Sequence, residues 1–167
     1  MATLTLKGNT IHSKGELPAV GSTLPDFELS KSDFSKATLK DFAGSKIVMN
    51  VFISLDTSTC ANSVRAFNKH ANDLENTKVL CISRDLPFAQ SRFCGAEGLE
   101  NVITLSDFAS GNFGQNYKNE MIDGPLAGLL SRVVIVADEN GKVLYTQQVE
   151  EVTEEPNYEA AIEALKN

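Results

Sequence analysis

Residues 47–67 read IVMNVFISLDTSTCANSVRAF: an apolar run, a polar junction, and then an apolar residue at every third or fourth position. An apolar run of this length is typical of a buried strand, and the spacing that follows is typical of an amphipathic helix. We therefore predict a strand over residues 46–53 and a helix over about 58–75. A strand-to-helix junction of this kind places Cys60 in the first turn of the helix.

The position of Cys60 favours a reactive thiol. Unpaired backbone N–H groups and the helix dipole at a helix N-terminus stabilise a thiolate relative to the thiol. Cys60 also begins the apolar stripe that Val64 and Phe67 continue, so its sulfur is expected on the core-facing side. The alternative is that Cys60 is simply a small buried residue, since free cysteine is among the most buried types. This segment alone leaves both interpretations open.

Strands and helices alternate along the rest of the chain, which is typical of parallel strands joined by crossovers. One pair differs, because Asn140-Gly141 separates two apolar runs and is a strong signal for an antiparallel hairpin. We therefore predict an α/β fold of thioredoxin-like element order, with a mixed central sheet flanked by helices. The further strands are expected at 26–30, 77–83, 101–105, 132–138 and 142–149, one helical turn at 38–43, and the further helices at 87–97, 111–119 and 156–166.

The N-terminus carries a separate signal. Thr3 to Lys7 alternates apolar and polar residues, Gly8-Asn9 is a turn signal, and the alternation resumes at Thr10. A β-hairpin is expected within residues 1–15, as an appendage to the main fold. Residues 1–167 are expected to form a single domain, because the length and the 42% apolar content are ordinary for one soluble domain.

Charge and hydropathy exclude several classes of function. The formal net charge is −7, and the 15 Lys and Arg residues are scattered without a basic stripe, so no nucleic-acid partner is expected. Apolar runs are far shorter than the ~20 residues of a membrane span, and the N-terminus lacks the pattern of an export signal. We therefore expect a cytoplasmic location and no association with a membrane.

The cysteines do not form a recognisable metal or disulfide framework. Cys60, Cys81 and Cys94 include no C-x-x-C pair, and the two histidines stand at unrelated positions. Residues 111–114 contain two glycines without the spacing or strand context of a phosphate loop. No metal and no cofactor are therefore expected. Asp85, Glu97 and Asp107 are expected to be surface charges.

Thr57 stands three residues before Cys60, where thioredoxin-like oxidoreductases carry the first cysteine of C-x-x-C. Its hydroxyl can donate a hydrogen bond to a thiolate but cannot form a disulfide. The site should therefore react with an external electrophile. Thr57 is also a good N-cap for the predicted helix, and the two roles can coexist.

Two segments resemble the bacterial thiol peroxidases, which are atypical two-cysteine peroxiredoxins. They are Asp56-Thr57-x-x-Cys60 and residues 80–95, LCISRDLPFAQSRFCG, and the resemblance extends over essentially the whole chain. It implies that Cys60 is the peroxidatic cysteine, Cys94 the resolving cysteine, Thr57 the active-site threonine and Arg132 the arginine that supports the thiolate. It also implies a homodimer, a preference for alkyl hydroperoxides and thioredoxin as the reductant.

The expected chemistry is attack of Cys60 on hydrogen peroxide or an organic hydroperoxide, which gives a sulfenic acid that a second thiol captures. Cys94 is the better candidate for this capture, because Gly95 and Gly98 ease unwinding of its predicted helix. Cys81 lies inside a predicted strand and is expected to be a core residue. Arg132 taken alone could instead be a solvated charge that begins a strand.

One residue departs from the pattern P-x-x-x-T-x-x-C, since Ile53 stands where the family has proline. Isoleucine adds a backbone N–H and relaxes the loop that proline would stiffen. The alternative function is accordingly a redox sensor or a catalytically impaired thioredoxin-fold protein. A general thiol–disulfide oxidoreductase is disfavoured, because C-x-x-C is absent.

Overall fold

The computed structural model describes residues 1–166, which contain nine strands and four α-helices. The strands are β1 (Ala2–Leu6), β2 (Asn9–Ser13), β3 (Glu28–Ser30), β4 (Lys36–Thr38), β5 (Lys46–Val51), β6 (Thr77–Ser83), β7 (Ile103–Ser106), β8 (Val133–Ala137) and β9 (Val143–Gln148). The helices are α1 (Ser58–Ala71), α2 (Pro87–Glu97), α3 (Asn112–Tyr117) and α4 (Tyr158–Ala164), with a 3-10 turn at Leu39–Phe42.

The central sheet has seven strands in the order β4-β3-β7-β6-β5-β8-β9. β5, β6 and β7 are parallel neighbours, whereas β8 runs antiparallel to β5 and to β9. The turn between β8 and β9 contains Gly141 at φ 78°, a conformation that glycine adopts without strain. The prediction of a mixed sheet flanked by helices is thus confirmed, including the hairpin at Asn140-Gly141.

The N-terminal hairpin is also confirmed, as a two-stranded antiparallel sheet of β1 and β2. Its turn lies one residue earlier than predicted, because Leu6 pairs with Asn9 and leaves Lys7-Gly8 as the loop. Both loop residues have positive φ, at 50° and 83°, which matches the twist of a two-residue hairpin turn.

The core lies on both faces of the central sheet. On β5, Val48 packs with α1 and α4 on one face, and Met49 packs with α3 and the 3-10 turn on the other. Because both faces are covered, residues 47–51 form a continuous buried run instead of an alternating one. This covering holds the carboxyl end of β5 rigid below the junction that leads to Cys60.

Element ends differ from the predictions by a few residues. α4 begins at Tyr158, because the Asn157 side chain accepts a hydrogen bond from the amide of Ala160 at 3.0 Å and caps the helix there. α1 ends at Ala71 and not at residue 75. β4 was not predicted, since its three residues are too few to show a period. No helix within residues 1–166 combines the length and the apolar character needed to cross a bilayer.

Candidate functional site

Cys60 lies in the first turn of α1 and is fully buried. Thr57 is the N-cap: its hydroxyl oxygen accepts the amide of Cys60 at 3.3 Å. The same hydroxyl donates to the carbonyl of Ser54 at 3.1 Å. In this structure Thr57 therefore acts as the cap, and its proton bonds the loop and not the sulfur. Donation from Thr57 to the thiolate stays a prediction.

Arg132 precedes β8 and contacts Cys60 directly. Its Nη1 donates to Cys60 Sγ at 3.3 Å, while Nε and Nη2 donate to the carbonyl of Val152 at 3.2 and 2.9 Å. The side chain is 1% exposed, and within residues 1–166 no carboxylate forms a salt bridge with it. A buried guanidinium stabilises an anion at its donors. Cys60 Sγ is the atom in contact with this donor, so a negative charge on the sulfur would be stabilised there.

A cavity of about 860 Å³ opens beside this pair. Arg132, Thr57, Ile53 and Val152 are among the residues that line it. The N-terminal hairpin forms one wall through Leu6, Lys7, Asn9 and Ile11, and Pro125 and Leu126 contribute another. Cys60 itself is fully buried and does not line the cavity; Arg132, which contacts its sulfur, does. The lining is mostly apolar, so the cavity suits a molecule with a hydrocarbon part.

Ile53 keeps this apolar lining in the place of the family's proline. It is buried, and within the described part of the chain its amide has no hydrogen-bond acceptor. The preceding amide, of Phe52, donates to the carbonyl of Ile82 at 3.0 Å. A proline at position 53 would therefore remove no hydrogen bond, and the isoleucine leaves one backbone dihedral free that proline would fix.

Cys94 lies on α2, half-buried, and borders a different groove, together with Ser91, Leu99 and Thr104. Cys60 and Cys94 are both free thiols on separate helices. Burial raises the pKa of Cys94, so this thiol is poorly ionised where it stands.

The packing of α2 is consistent with the predicted unwinding. Within this helix only Pro87 and Gln90 are buried, and it ends at Gly98 in the left-handed conformation. Few buried side chains are the mark of a segment that opens locally at low cost. Cys94 and Cys60 therefore lie on different helices, and unwinding of α2 stays a prediction.

Cys81 occupies β6 and is fully buried. Burial raises its pKa to about 12, despite a hydrogen bond from Asn50 Nδ2 at 3.8 Å. The thiol is therefore protonated at neutral pH and sits in the core, as the strand pattern indicates.

The prediction that Asp85, Glu97 and Asp107 are surface charges is correct only for Glu97, which pairs with Arg65 at 2.6 Å on the surface. Asp107 is 1% exposed and pairs with Arg84. Asp85 is half-buried and accepts hydrogen bonds from the loop before Cys60. A usable signal existed for Asp85, because it is the second residue after β6, and the carboxyl ends of parallel strands meet at one edge of a sheet.

A thiol at a helix N-terminus beside a mixed sheet, with a guanidinium on its sulfur and no second cysteine three residues away, defines a thioredoxin-fold enzyme of the peroxiredoxin type. The sequence profile of the Redoxin family matches residues 19–162. The chain belongs to the Redoxin family and, within it, to the bacterial thiol peroxidases.

Relatives and solved structures agree with this assignment. A thiol peroxidase of Corynebacterium glutamicum is 53% identical and one of Mycobacterium bovis 50% identical, each over 99% of both chains. A peroxiredoxin-like protein from Aquifex aeolicus superposes with a TM-score of 0.92 at 35% identity, covering 98% of this chain and 95% of that one. The Chromobacterium violaceum thiol peroxidase has the same fold, with a TM-score of 0.90 at 22% identity and the same coverage. The predicted family and thioredoxin-like fold are confirmed.

Proposed function

We propose that Cys60 is the peroxidatic residue of a thiol-dependent peroxidase. The observation that carries the proposal is the contact of 3.3 Å between Arg132 Nη1 and Cys60 Sγ. The thiolate attacks one oxygen of the hydroperoxide, and the O–O bond breaks. Cys60 becomes a sulfenic acid, and the other oxygen leaves with a proton as water or an alcohol.

Arg132 has a double task in this step. Its planar fork can hold the thiolate before attack and donate to the peroxide as charge moves to the leaving oxygen. Donors aimed at developing charge give the largest single contribution to many enzymatic rates. Because the guanidinium is also bonded to Val152, it stays in place while the charge moves from sulfur to oxygen.

Cys94 is proposed as the resolving cysteine. Its thiol attacks the Cys60 sulfenic acid, which forms the disulfide and releases water. The two Cα atoms must come within ~7 Å for this bond, so α2 has to unwind locally before the step. The weak packing of α2 and the poor ionisation of Cys94 in the folded groove both support a reaction that follows this movement.

The reductant proposed for the disulfide is thioredoxin or a similar dithiol protein, and the substrates are hydrogen peroxide and organic hydroperoxides. The apolar cavity supports the organic class, because it offers contacts to a hydrocarbon part beside Arg132. A supply of dithiol reductant fits a reducing compartment, and the proposed location is the cytoplasm.

A homodimer is proposed as the working form. The supporting feature is an exposed apolar patch of Phe34, Phe88 and Phe108, with ring centroids 4.8 Å apart for Phe34 and Phe88 and 6.2 Å apart for Phe34 and Phe108. Exposed apolar clusters of this kind mark interaction surfaces. Sedimentation at micromolar concentration is expected to give the mass of two chains, and a mass of one chain would remove the proposal.

Rapid kinetics test the proposed function. With less than one equivalent of peroxide, the Cys60 thiol should disappear in a fast second-order step, and many turnovers should follow once thioredoxin and its reductase are added. Peptide mapping should then show a Cys60–Cys94 disulfide. Slow oxidation that stops after one equivalent would support the redox sensor instead, and a Cys60–Cys81 link would overturn the role of Cys94.

The N-terminal hairpin should set the preference for organic hydroperoxides, and Glu151 holds it in place. The Glu151 carboxylate accepts bonds from Thr5 Oγ1 at 2.7 Å and from the amides of Lys7 at 2.8 Å and Gly8 at 3.1 Å. These bonds hold the pKa of Glu151 at about 2, so it is ionised under assay conditions. Glu151→Gln replaces one acceptor oxygen with a donor and should loosen this wall of the cavity.

The expected result for Glu151→Gln is a fall of roughly tenfold in kcat/KM for cumene hydroperoxide, the size expected for lost hydrogen bonds to a charge. The value for hydrogen peroxide should change less than twofold, because that substrate does not need the apolar wall. Glu75→Gln, at an exposed site after α1, is the matched control. Equal losses for both substrates would contradict the role of the hairpin.

A further inference from the structure

Asp85 follows the carboxyl end of β6 and precedes α2. Its Oδ1 accepts the hydroxyl of Ser54 at 2.7 Å, and its Oδ2 accepts the amide of Leu55 at 2.9 Å and the hydroxyl of Ser83 at 2.7 Å. We propose that Asp85 is a positioning residue for Cys60, which fixes the loop of residues 53–57 in the place of the missing proline stiffness. The inference rests on the proposed function of Cys60.

The loop transmits the position of Asp85 to the thiol through a short series of bonds. The carbonyl of Ser54 accepts both the amide and the hydroxyl of Thr57, each at 3.1 Å. The hydroxyl oxygen of Thr57 then accepts the amide of Cys60 at 3.3 Å. A shift of Ser54 therefore moves the cap of α1, and with it the sulfur relative to Arg132.

Hydrogen bonds to residues of β6 and β7 fix the position of Asp85 itself. Ser83 is fully buried, and its hydroxyl oxygen accepts Gln90 Nε2 at 3.3 Å, while that amide also donates to the carbonyl of Leu105 at 2.9 Å. The backbone carbonyl of Asp85 accepts the hydroxyl of Ser106. The anchor is thus tied to β6 and β7, the rigid centre of the sheet.

The Asp85 carboxylate accepts hydrogen bonds but forms no salt bridge within the described residues. Within residues 1–166 no Lys, Arg or His forms a salt bridge with Asp85, so its partners are the hydroxyl and amide donors of Ser54, Leu55 and Ser83. Hydrogen bonds to a charged acceptor are shorter and stronger than hydrogen bonds between neutral groups. A half-buried carboxylate that bonds two successive residues of an active-site loop sets the conformation of that loop.

The isoleucine at position 53 makes the hydrogen bonds of Asp85 more important for the conformation of the loop. The side chain of Ile53 packs in the core, but the Ile53 amide has no acceptor in the described part of the chain and the backbone there lacks the fixed φ of proline. The backbone at the first residue of the loop is therefore held neither by a hydrogen bond of its amide nor by a ring. Hydrogen bonds at the start of this loop are instead made by Ser54 and Leu55, the two residues that Asp85 bonds. If the anchor and a proline do the same work, each should become dispensable when the other is present.

The test is a double-mutant cycle that measures the second-order rate constant of Cys60 oxidation by hydrogen peroxide. Asp85→Asn is expected to lower that constant about tenfold, since it loses charge-assisted bonds. Displacements of about 1 Å can cost ~10²-fold, which sets the upper end for Asp85→Ala. Ile53→Pro added to Asp85→Asn should restore most of the loss, whereas Ile53→Pro alone should change the rate much less. Asp73→Asn, an exposed residue after α1, is the matched control.

Rescue by a proline 32 positions away is a result that a general loss of stability would not give. Ser54→Ala removes the same bond from the loop side and should reproduce the loss if Asp85→Asn does not fold. An unchanged rate in the folded Asp85→Asn or Ser54→Ala protein, or an equal gain from Ile53→Pro with and without Asp85, would overturn the inference alone. Slow oxidation of Cys60 in the unaltered protein would instead overturn the proposed function.

Discussion

Cys60→Ser is expected to abolish hydroperoxide reduction, with a loss of at least about 10⁴-fold in kcat/KM, the scale seen when a covalent nucleophile is removed. A serine hydroxyl at this position is a poor nucleophile toward an O–O bond and forms no sulfenic acid. The peroxide consumption of the purified variant with thioredoxin and its reductase measures the effect. The fold should survive, because serine nearly matches cysteine in volume and the N-cap bond is donated to Thr57 by the backbone amide of residue 60, not by its side chain.

The other two cysteines supply the controls. Cys81→Ser should keep the peroxidase rate, because Cys81 is protonated and enclosed in β6. Cys94→Ser should keep the first oxidation of Cys60 but lose repeated turnover with thioredoxin. Residual turnover of Cys60→Ser above about one hundredth of the normal rate would show that another group reduces the peroxide.

Arg132→Met is expected to lower the rate constant of Cys60 oxidation by about 10²- to 10³-fold, the cost of removing one preorganised donor from a transition state. The substitution takes away the bond to Cys60 Sγ and the donor available to the leaving oxygen together. Methionine fills much of the same volume. Arg132→Lys keeps a charge without the planar fork, so it should recover only part of the rate.

Folding must be separated from chemistry in this variant, because Arg132 is buried and also bonds the carbonyl of Val152. Thermal unfolding followed by circular dichroism gives the temperature below which the rates are measured. Arg92→Met removes an exposed guanidinium from α2 and controls for the change in net charge. The fraction of Cys60 alkylated by iodoacetamide at pH 7 should also fall in Arg132→Met. A loss of less than fivefold in the oxidation rate would contradict the role assigned to Arg132.

Local patterns identified much of this protein correctly. The apolar run of β5, the helical stripe after Cys60 and the turn at Asn140-Gly141 each follow from the chemistry of neighbouring residues. The edge strand β4 was missed, because a strand of three residues has too few positions for a period to appear. The predicted hairpin turn was one residue too late. Its register is fixed by the pairing of β1 with β2, and not by the turn residues alone.

The sequence by itself determined the class of fold, the placement of Cys60 at a helix N-terminus and the kinship with the thiol peroxidases, because periodicity, caps and turn residues act between near neighbours. Only the tertiary structure decided what surrounds the thiol. Arg132 meets Cys60 across 72 positions of the chain, Asp85 anchors Ser54 across 31, and the hairpin closes the cavity from the far N-terminus. Such contacts depend on strand order and register, which bring distant residues together through the packing of the whole sheet.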